Sequence, residues 1–200
     1  LDDRKGLDVF LDACAQLPKT ELEKLCLFLV GGISAEYQEK LEKKITSLPA
    51  LEVRRAYGYM SAPEVQIAFQ SADFVLILYQ NFLNMSSVLI RAAQAGKPSF
   101  ATETGMIGEM VTEHKLGLVV DATSATAVAT GLVKMLTHGF SFSPSNAQKI
   151  AEENSVEAFK KLNSTLNHFG IAALFLRILH TRRDVVSPHQ GAHCQRQRRG

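Results

Sequence analysis

Short runs of continuous apolar residues alternate with longer stretches of helical periodicity along this chain, and that alternation decides its architecture. Leu25–Val30 is an unbroken apolar run ended by Gly31-Gly32, the pattern of a buried parallel strand and its turn. Val53–Tyr57, closed by Gly58, and the runs Phe74–Leu78, Pro98–Thr102 and Leu118–Val120 read as further strands. Between them, Gly6–Leu17 places Leu7, Phe10, Leu11, Cys14 and Leu17 at helical spacing. Ala35–Leu48 is charged with sparse apolar positions, as a solvent-facing helix would be. Ala62–Gln70 follows Ser61 with Glu64 in capping-box position, and Ser86–Ala95 is closed by Gly96. Ser124–Leu136, with Ser124 as its cap, and Asn146–Phe169 are also helical. Strands alternating with helices predict an α/β fold with a doubly wound parallel sheet. Ligands of such sheets bind at the carboxyl ends of the strands, near helix N-termini, so the loops after Val30, Tyr57, Leu78 and Thr102 are the informative ones.

The 200 residues suffice for one domain with a short appendage, and a net charge of only +2 excludes a strong global field toward nucleic acid. Cys14, Cys26 and Cys194 show no metal spacing. Cys14 and Cys26 lie within apolar runs, where a free cysteine acts as a small hydrophobe. Their odd number and wide spacing point to a reducing, cytoplasmic setting, with peripheral attachment to a membrane left open. No apolar run approaches the roughly 18–20 residues of a membrane helix. Residues 171–200 differ from the rest, carrying six Arg and one Asp. They read as a basic, disordered tail following a domain of residues 1–170, with a nucleic-acid or membrane-surface role as the less favoured alternative.

Several segments, taken in order, resemble the C-terminal, nucleotide-sugar-binding domain of group 1 (family 4) glycosyltransferases. Arg4-Lys5-Gly6-Leu7-Asp8 is similar to that family's "KG" entry to its first C-domain helix, and Leu27–Gly32 to its strand ending in V-G-x-G. Tyr57-Gly58-Tyr59 resembles the "F-x-G" step, and Ser71-Ala72-Asp73 with the following strand resembles "x-A-D-x-x-x-x-P-S". Arg91–Pro98 aligns with "E-A-M-A-x-G-x-P", Thr104–Met110 with the loop "x-G-G-x-x-E-x-V", and Leu116–Asp121 with "x-G-L-L-V-x-P". The resemblance covers Arg4 to Leu136, more weakly to Phe169. It implies a Rossmann-like half of a GT-B fold, cut from a larger enzyme whose N-terminal domain holds the acceptor. The implied activity is retaining hexosyl transfer from a nucleotide diphospho-sugar, with the isolated fragment inactive. The implied partners are that sugar nucleotide and the missing domain, with no nucleic acid, no transmembrane segment, no cofactor and no metal.

The resemblance places Lys5 at the family's diphosphate-binding lysine, and the N–H groups of Asn84–Ser87 against the distal phosphate, where Ser86 and Ser87 add hydroxyls. Protein cations and helix dipoles then neutralise the leaving diphosphate. A solvated Lys5 at a helix start is the alternative, although a cation there opposes the dipole. Gly31 and Gly32, the base-facing Tyr59 and Met60, Arg91 and Glu109 complete the donor-binding set, and no catalytic residue is assigned. Gly31 and Gly32 also read as strand terminators, and Glu109 as an N-terminal cap of the helix after it.

At one place the chain departs from the family. The family's paired glutamates, with seven residues between them, correspond here to Leu83 and Arg91. Neither side chain accepts a hydrogen bond from a sugar hydroxyl. Arg91 therefore grips a phosphate or other acidic group in a divergent site, or marks a degenerate domain serving as a scaffold, or pairs structurally with Glu103 or Glu109.

Overall fold

Parallel pairing sets β1 (Cys26–Gly31) beside β2 (Glu52–Tyr57), with Cys26 opposite Glu52 and Gly31 opposite Tyr57. A second ladder runs β3 (Val75–Ile77), β4 (Ser99–Thr102) and β5 (Leu116–Val120), all parallel. It ends on the short antiparallel strand β6 (Ser141–Phe142). The computed structural model describes residues 1–155, 157 and 158, and Leu1–Glu153 form one unit. The sequence readings for the rest of the Asn146–Phe169 helix and for the basic tail, Cys194 included, lie outside the described residues.

Eight helices connect the strands in the described unit: α1 (Leu7–Cys14), α2 (Lys19–Leu22), α3 (Ala35–Thr46), α4 (Ala62–Ser71), α5 (Ser87–Gln94), α6 (Gly105–Glu113), α7 (Ala125–Leu136) and α8 (Pro144–Glu153). Strand side chains alternate between faces, and the cores follow that alternation. Leu78 and Phe100 join a cluster with α1, α3, β1 and α7, whereas their neighbours Ile77 and Ala101 join α5, α6 and α8. Helices thus cover both faces of β3 and β4, which is the doubly wound arrangement expected. The two ladders share no hydrogen-bonded pair in the described residues and meet through packing, Leu27 and Leu29 sharing a cluster with Leu78 and Phe100. Full burial of a Leu such as Leu41 or Leu89 contributes about 1.5–3 kcal/mol.

The predicted caps form. Glu64 accepts from the Ser61 backbone N–H at 2.8 Å at the start of α4. Ser86 accepts from Val88 N–H, and Ser124 from Ala127 N–H, each at 3.2 Å. Gly96, at φ +66°, ends α5, and its N–H reaches the Ala93 carbonyl. Two polar clusters fix α3. Arg55 clasps Glu42 through two 2.7 Å hydrogen bonds while the Tyr57 hydroxyl donates to the same carboxylate. Asp8 accepts from Lys40 at 3.1 Å and from the Tyr37 hydroxyl at 3.2 Å, and its other oxygen lies 3.4 Å from Lys44.

Three sequence expectations change. β1 is buried only on alternate residues: Leu27 and Leu29 face the core while Cys26 and Phe28 face outward, Phe28 being 44% exposed. Cys26 is therefore a surface residue rather than an interior hydrophobe. Cys14 is fully buried, and burial pushes its thiol up to about 12. The presumed loop at Thr104–Met110 is mostly the first half of α6, because its glycines serve close approach: a Cβ on Gly108 would overlap the Glu103 backbone. Among the described residues no helix is long and apolar enough to cross a membrane.

Candidate functional site

The segment before α1 is laid across the carboxyl end of β3. Asp3–Lys5 form one 3-10 turn, Gly6 takes φ +72°, and the Arg4 carbonyl accepts from Gln80 N–H at 2.8 Å. Gln80 spans the gap to the strand on the far side of β4. Its amide nitrogen donates to the carbonyls of Leu78 at 2.9 Å and Ala122 at 2.7 Å. Lys5 is thereby held over the β3 end, and it is half-buried. Its Nζ donates to the Tyr79 hydroxyl at 2.9 Å and lies 4.1 Å from the centre of that ring. Tyr79 is 8% exposed, packed edge-on against Phe82, and its oxygen is 3.4 Å from Oγ of Ser86, the N-cap of α5.

One ammonium group and one helix N-terminus thus converge on the same strand end. Ser87, at the first position of α5, is exposed. Its N–H belongs to the first turn, which has no intrahelical carbonyl to donate to. Cation, helix dipole and uncommitted N–H together suit an oxyanion such as phosphate. The next loop is fastened to the first: Met106 N–H donates to the Leu83 carbonyl at 3.1 Å, and a Cβ on Gly105 would lie 2.7 Å from the Leu83 Cα. The side chains of Leu83, 66% exposed, and Met106, 45% exposed, give this edge an apolar surface.

The structure brings Lys5 and Ser86 together, with Asn84 and Ser87 exposed alongside Ser86 in the chain. Gly31 and Gly32 lie at the end of β1, and Gly58 N–H donates to the Gly31 carbonyl at 3.2 Å. Gly31 and Gly58 both adopt φ +111°. Tyr59, almost wholly exposed, and the half-buried Met60 follow at the end of β2. These residues form a second group at the carboxyl ends of the first ladder. Glu109 does not cap α6: Thr104 is the N-cap, and Glu109 sits beyond the first turn, where with Glu103, Thr112 and Glu113 it lines a shallow depression. Arg91 is exposed on α5, and among the described residues it pairs with neither Glu103 nor Glu109, which removes the structural ion pair considered above. No group of three or more metal-ligating side chains is assembled among the described residues. Sequence reasoning missed Tyr79 and Gln80. Both follow an apolar run and resemble ordinary strand-end residues, and only the Gly6 turn crossing the strand reveals what they hold.

The chain matches the family model "Glycosyl transferases group 1" over residues 1–157. It is 28% identical over 172 residues to D-inositol 3-phosphate glycosyltransferase of Corynebacterium jeikeium (strain K411), a match that covers 81% of this chain and 41% of that protein. In fold it is similar to Anabaena HepE, solved in complexes with UDP and with UDP-glucose, at TM-score 0.67 and 23% identity over 84% of this chain and 46% of that one. Sucrose-phosphate synthase from Thermosynechococcus elongatus is similar at TM-score 0.57 and 21% identity, over 93% of this chain and 44% of that one. The chain spans less than half the length of each of these relatives. A parallel α/β core wound on both faces and a match over residues 1–157 agree: this chain belongs to the group 1 glycosyl transferases.

Proposed function

We propose that this chain is the donor-binding half of a retaining glycosyltransferase, which takes a nucleotide diphospho-sugar and passes the sugar to an acceptor held by a companion N-terminal domain. One observation carries the reading: the Lys5 ammonium is held at the carboxyl end of β3, linked through Tyr79 to the N-cap of α5. A leaving diphosphate bound there meets a cation and a helix dipole placed before it arrives. Preorganised charges of this kind stabilise a developing anion without the cost of reorganisation. No metal is called on, because Lys5 and the helix terminus supply the positive charge. The UDP and UDP-glucose complexes of the similar Anabaena protein support a sugar nucleotide as the ligand class. Transfer requires the companion domain, since holding both substrates in reacting geometry supplies much of the rate. The 200-residue chain then binds donor without turning it over. The cytoplasm, with peripheral contact to a membrane, is the setting proposed for the whole enzyme.

A second reading has its own support. Leu83 is exposed and apolar, and Arg91 is exposed without a carboxylate partner among the described residues, so neither accepts from a sugar hydroxyl. A domain that has lost donor binding and serves as a scaffold would look the same at these two positions, since fold does not fix function. Calorimetric titration of the 200-residue chain and of the full-length protein with UDP-, GDP- and ADP-sugars separates the readings. Saturable heat with one of them supports the transferase, and no heat with any leaves the scaffold.

A further inference from the structure

The phenol oxygen of Tyr79 receives hydrogen bonds from two sides. Lys5 Nζ has only hydrogens to give, so at 2.9 Å the Tyr79 oxygen accepts from it. Ser86 Oγ already accepts from Val88 N–H, and its own hydrogen is directed at the Tyr79 oxygen at 3.4 Å. Both polar neighbours of this oxygen donate to it, while Tyr79 is 8% exposed and its ring is braced edge-on by Phe82 at 5.3 Å. With donors on both sides, the buried oxygen serves as an acceptor that ties the Lys5 ammonium to one place beside the α5 terminus.

We propose that Tyr79 is a positioning residue of the donor site, fixing the Lys5 ammonium beside the N-cap of α5 so that cation and helix terminus meet the same phosphate. The role rests on the donor-binding reading above. A lysine stem has four rotatable bonds, and holding its head in one place before binding removes an ordering cost that the ligand would otherwise meet. Tyr79→Phe keeps the ring, its packing on Phe82 and its face toward the ammonium, and removes only the oxygen.

The test is a double-mutant cycle on the 200-residue chain, with whichever of UDP, GDP and ADP binds the wild type most tightly as the probe. Tyr79→Phe is expected to raise Kd about tenfold, the scale of one lost hydrogen bond to a charged group, while its thermal unfolding midpoint stays with the wild type. In a Lys5→Met background, Tyr79→Phe is expected to change Kd less than twofold, because the group it positions is gone. Wild-type Kd in Tyr79→Phe, or an equal loss in both backgrounds, overturns the inference and leaves donor binding standing. A wild type that binds none of the three nucleotides overturns donor binding and this inference with it.

Discussion

Gly6 lies against the carbonyl of Leu78 so closely that a Cβ added to it would overlap the oxygen. The same residue adopts φ +72°, a conformation that costs a residue with a side chain about 1–2 kcal/mol. The two penalties reinforce each other, and the overlap is with backbone that cannot swing aside. Gly6→Ala is expected to lower unfolding free energy by about 2–4 kcal/mol, from the strain together with the displacement it forces on β3. Urea denaturation checks this, and an unchanged midpoint would show that the turn can lift off the strand.

Gly131 sets helix propensity against packing. Alanine within α7 would gain about 1 kcal/mol over glycine. Its Cβ, however, would lie 2.7 Å from Phe100 Cε2 and from Val120 Cγ1. Phe100 is fully buried and held edge-on to Phe74 at 6.5 Å, so it has little room to yield. Overpacking costs about 1–3 kcal/mol, so packing wins and Gly131→Ala is expected to destabilise by about 1 kcal/mol net. A raised melting temperature would mean that the core relaxes around the added methyl.

Two carboxylates make stability depend on acid. The Arg55 guanidinium holds the Glu42 carboxyl below its usual range. Burial would push Asp8 up, but the hydrogen bond and charge of Lys40 with the charge of Lys44 outweigh it, and its pKa also falls. A carboxyl lowered by folding contributes stability above its unfolded value, near 4.5 for Glu and 3.8 for Asp, and loses it as pH falls through the lower folded value. Stability at pH 7 is therefore expected to exceed that at pH 3, each partly exposed group contributing about 1 kcal/mol or less. Glu42→Gln should flatten this acid limb in denaturant titrations repeated between those pH values. A limb of undiminished slope would assign the effect to other groups.

Arg91 decides between the two readings of function. An exposed cation on the helix that starts at Ser87 attracts a phosphate-bearing ligand, and a carboxylate there repels it. Arg91→Glu is expected to weaken nucleotide binding about three- to tenfold at low salt, less so at high salt as screening grows. Tighter binding by the variant would show that a lost glutamate had been restored, and would favour the scaffold.

The α/β alternation was legible because apolar runs and helical periodicity report burial directly. Val53–Tyr57 and Ser124–Leu136 needed no tertiary context, and the Ser61–Glu64 cap could be read from spacing alone. Lys5 and Ser86 were legible only through the family resemblance. What joins them was not: Tyr79 looks like an ordinary residue just after an apolar run, and its partner is 74 residues away in the chain. Cys26 and Phe28 misled for a related reason, since an apolar run says nothing of which face its neighbours leave open. Gly105 and Gly108 read as loop residues because glycine marks turns and close approaches alike, and only the backbone of Leu83 and Glu103 distinguishes the two.

The clamp at Gln80 limits how the site can vary. Its one amide nitrogen gives both hydrogens to carbonyls, of Leu78 and Ala122, while its own N–H holds Arg4. Glutamate has the same shape, yet it would turn a carboxylate, with no hydrogen to give, toward two carbonyl oxygens. A change of a single atom would therefore loosen the residue whose backbone N–H holds the turn that carries Lys5, so sequence drift in this domain is constrained at Gln80.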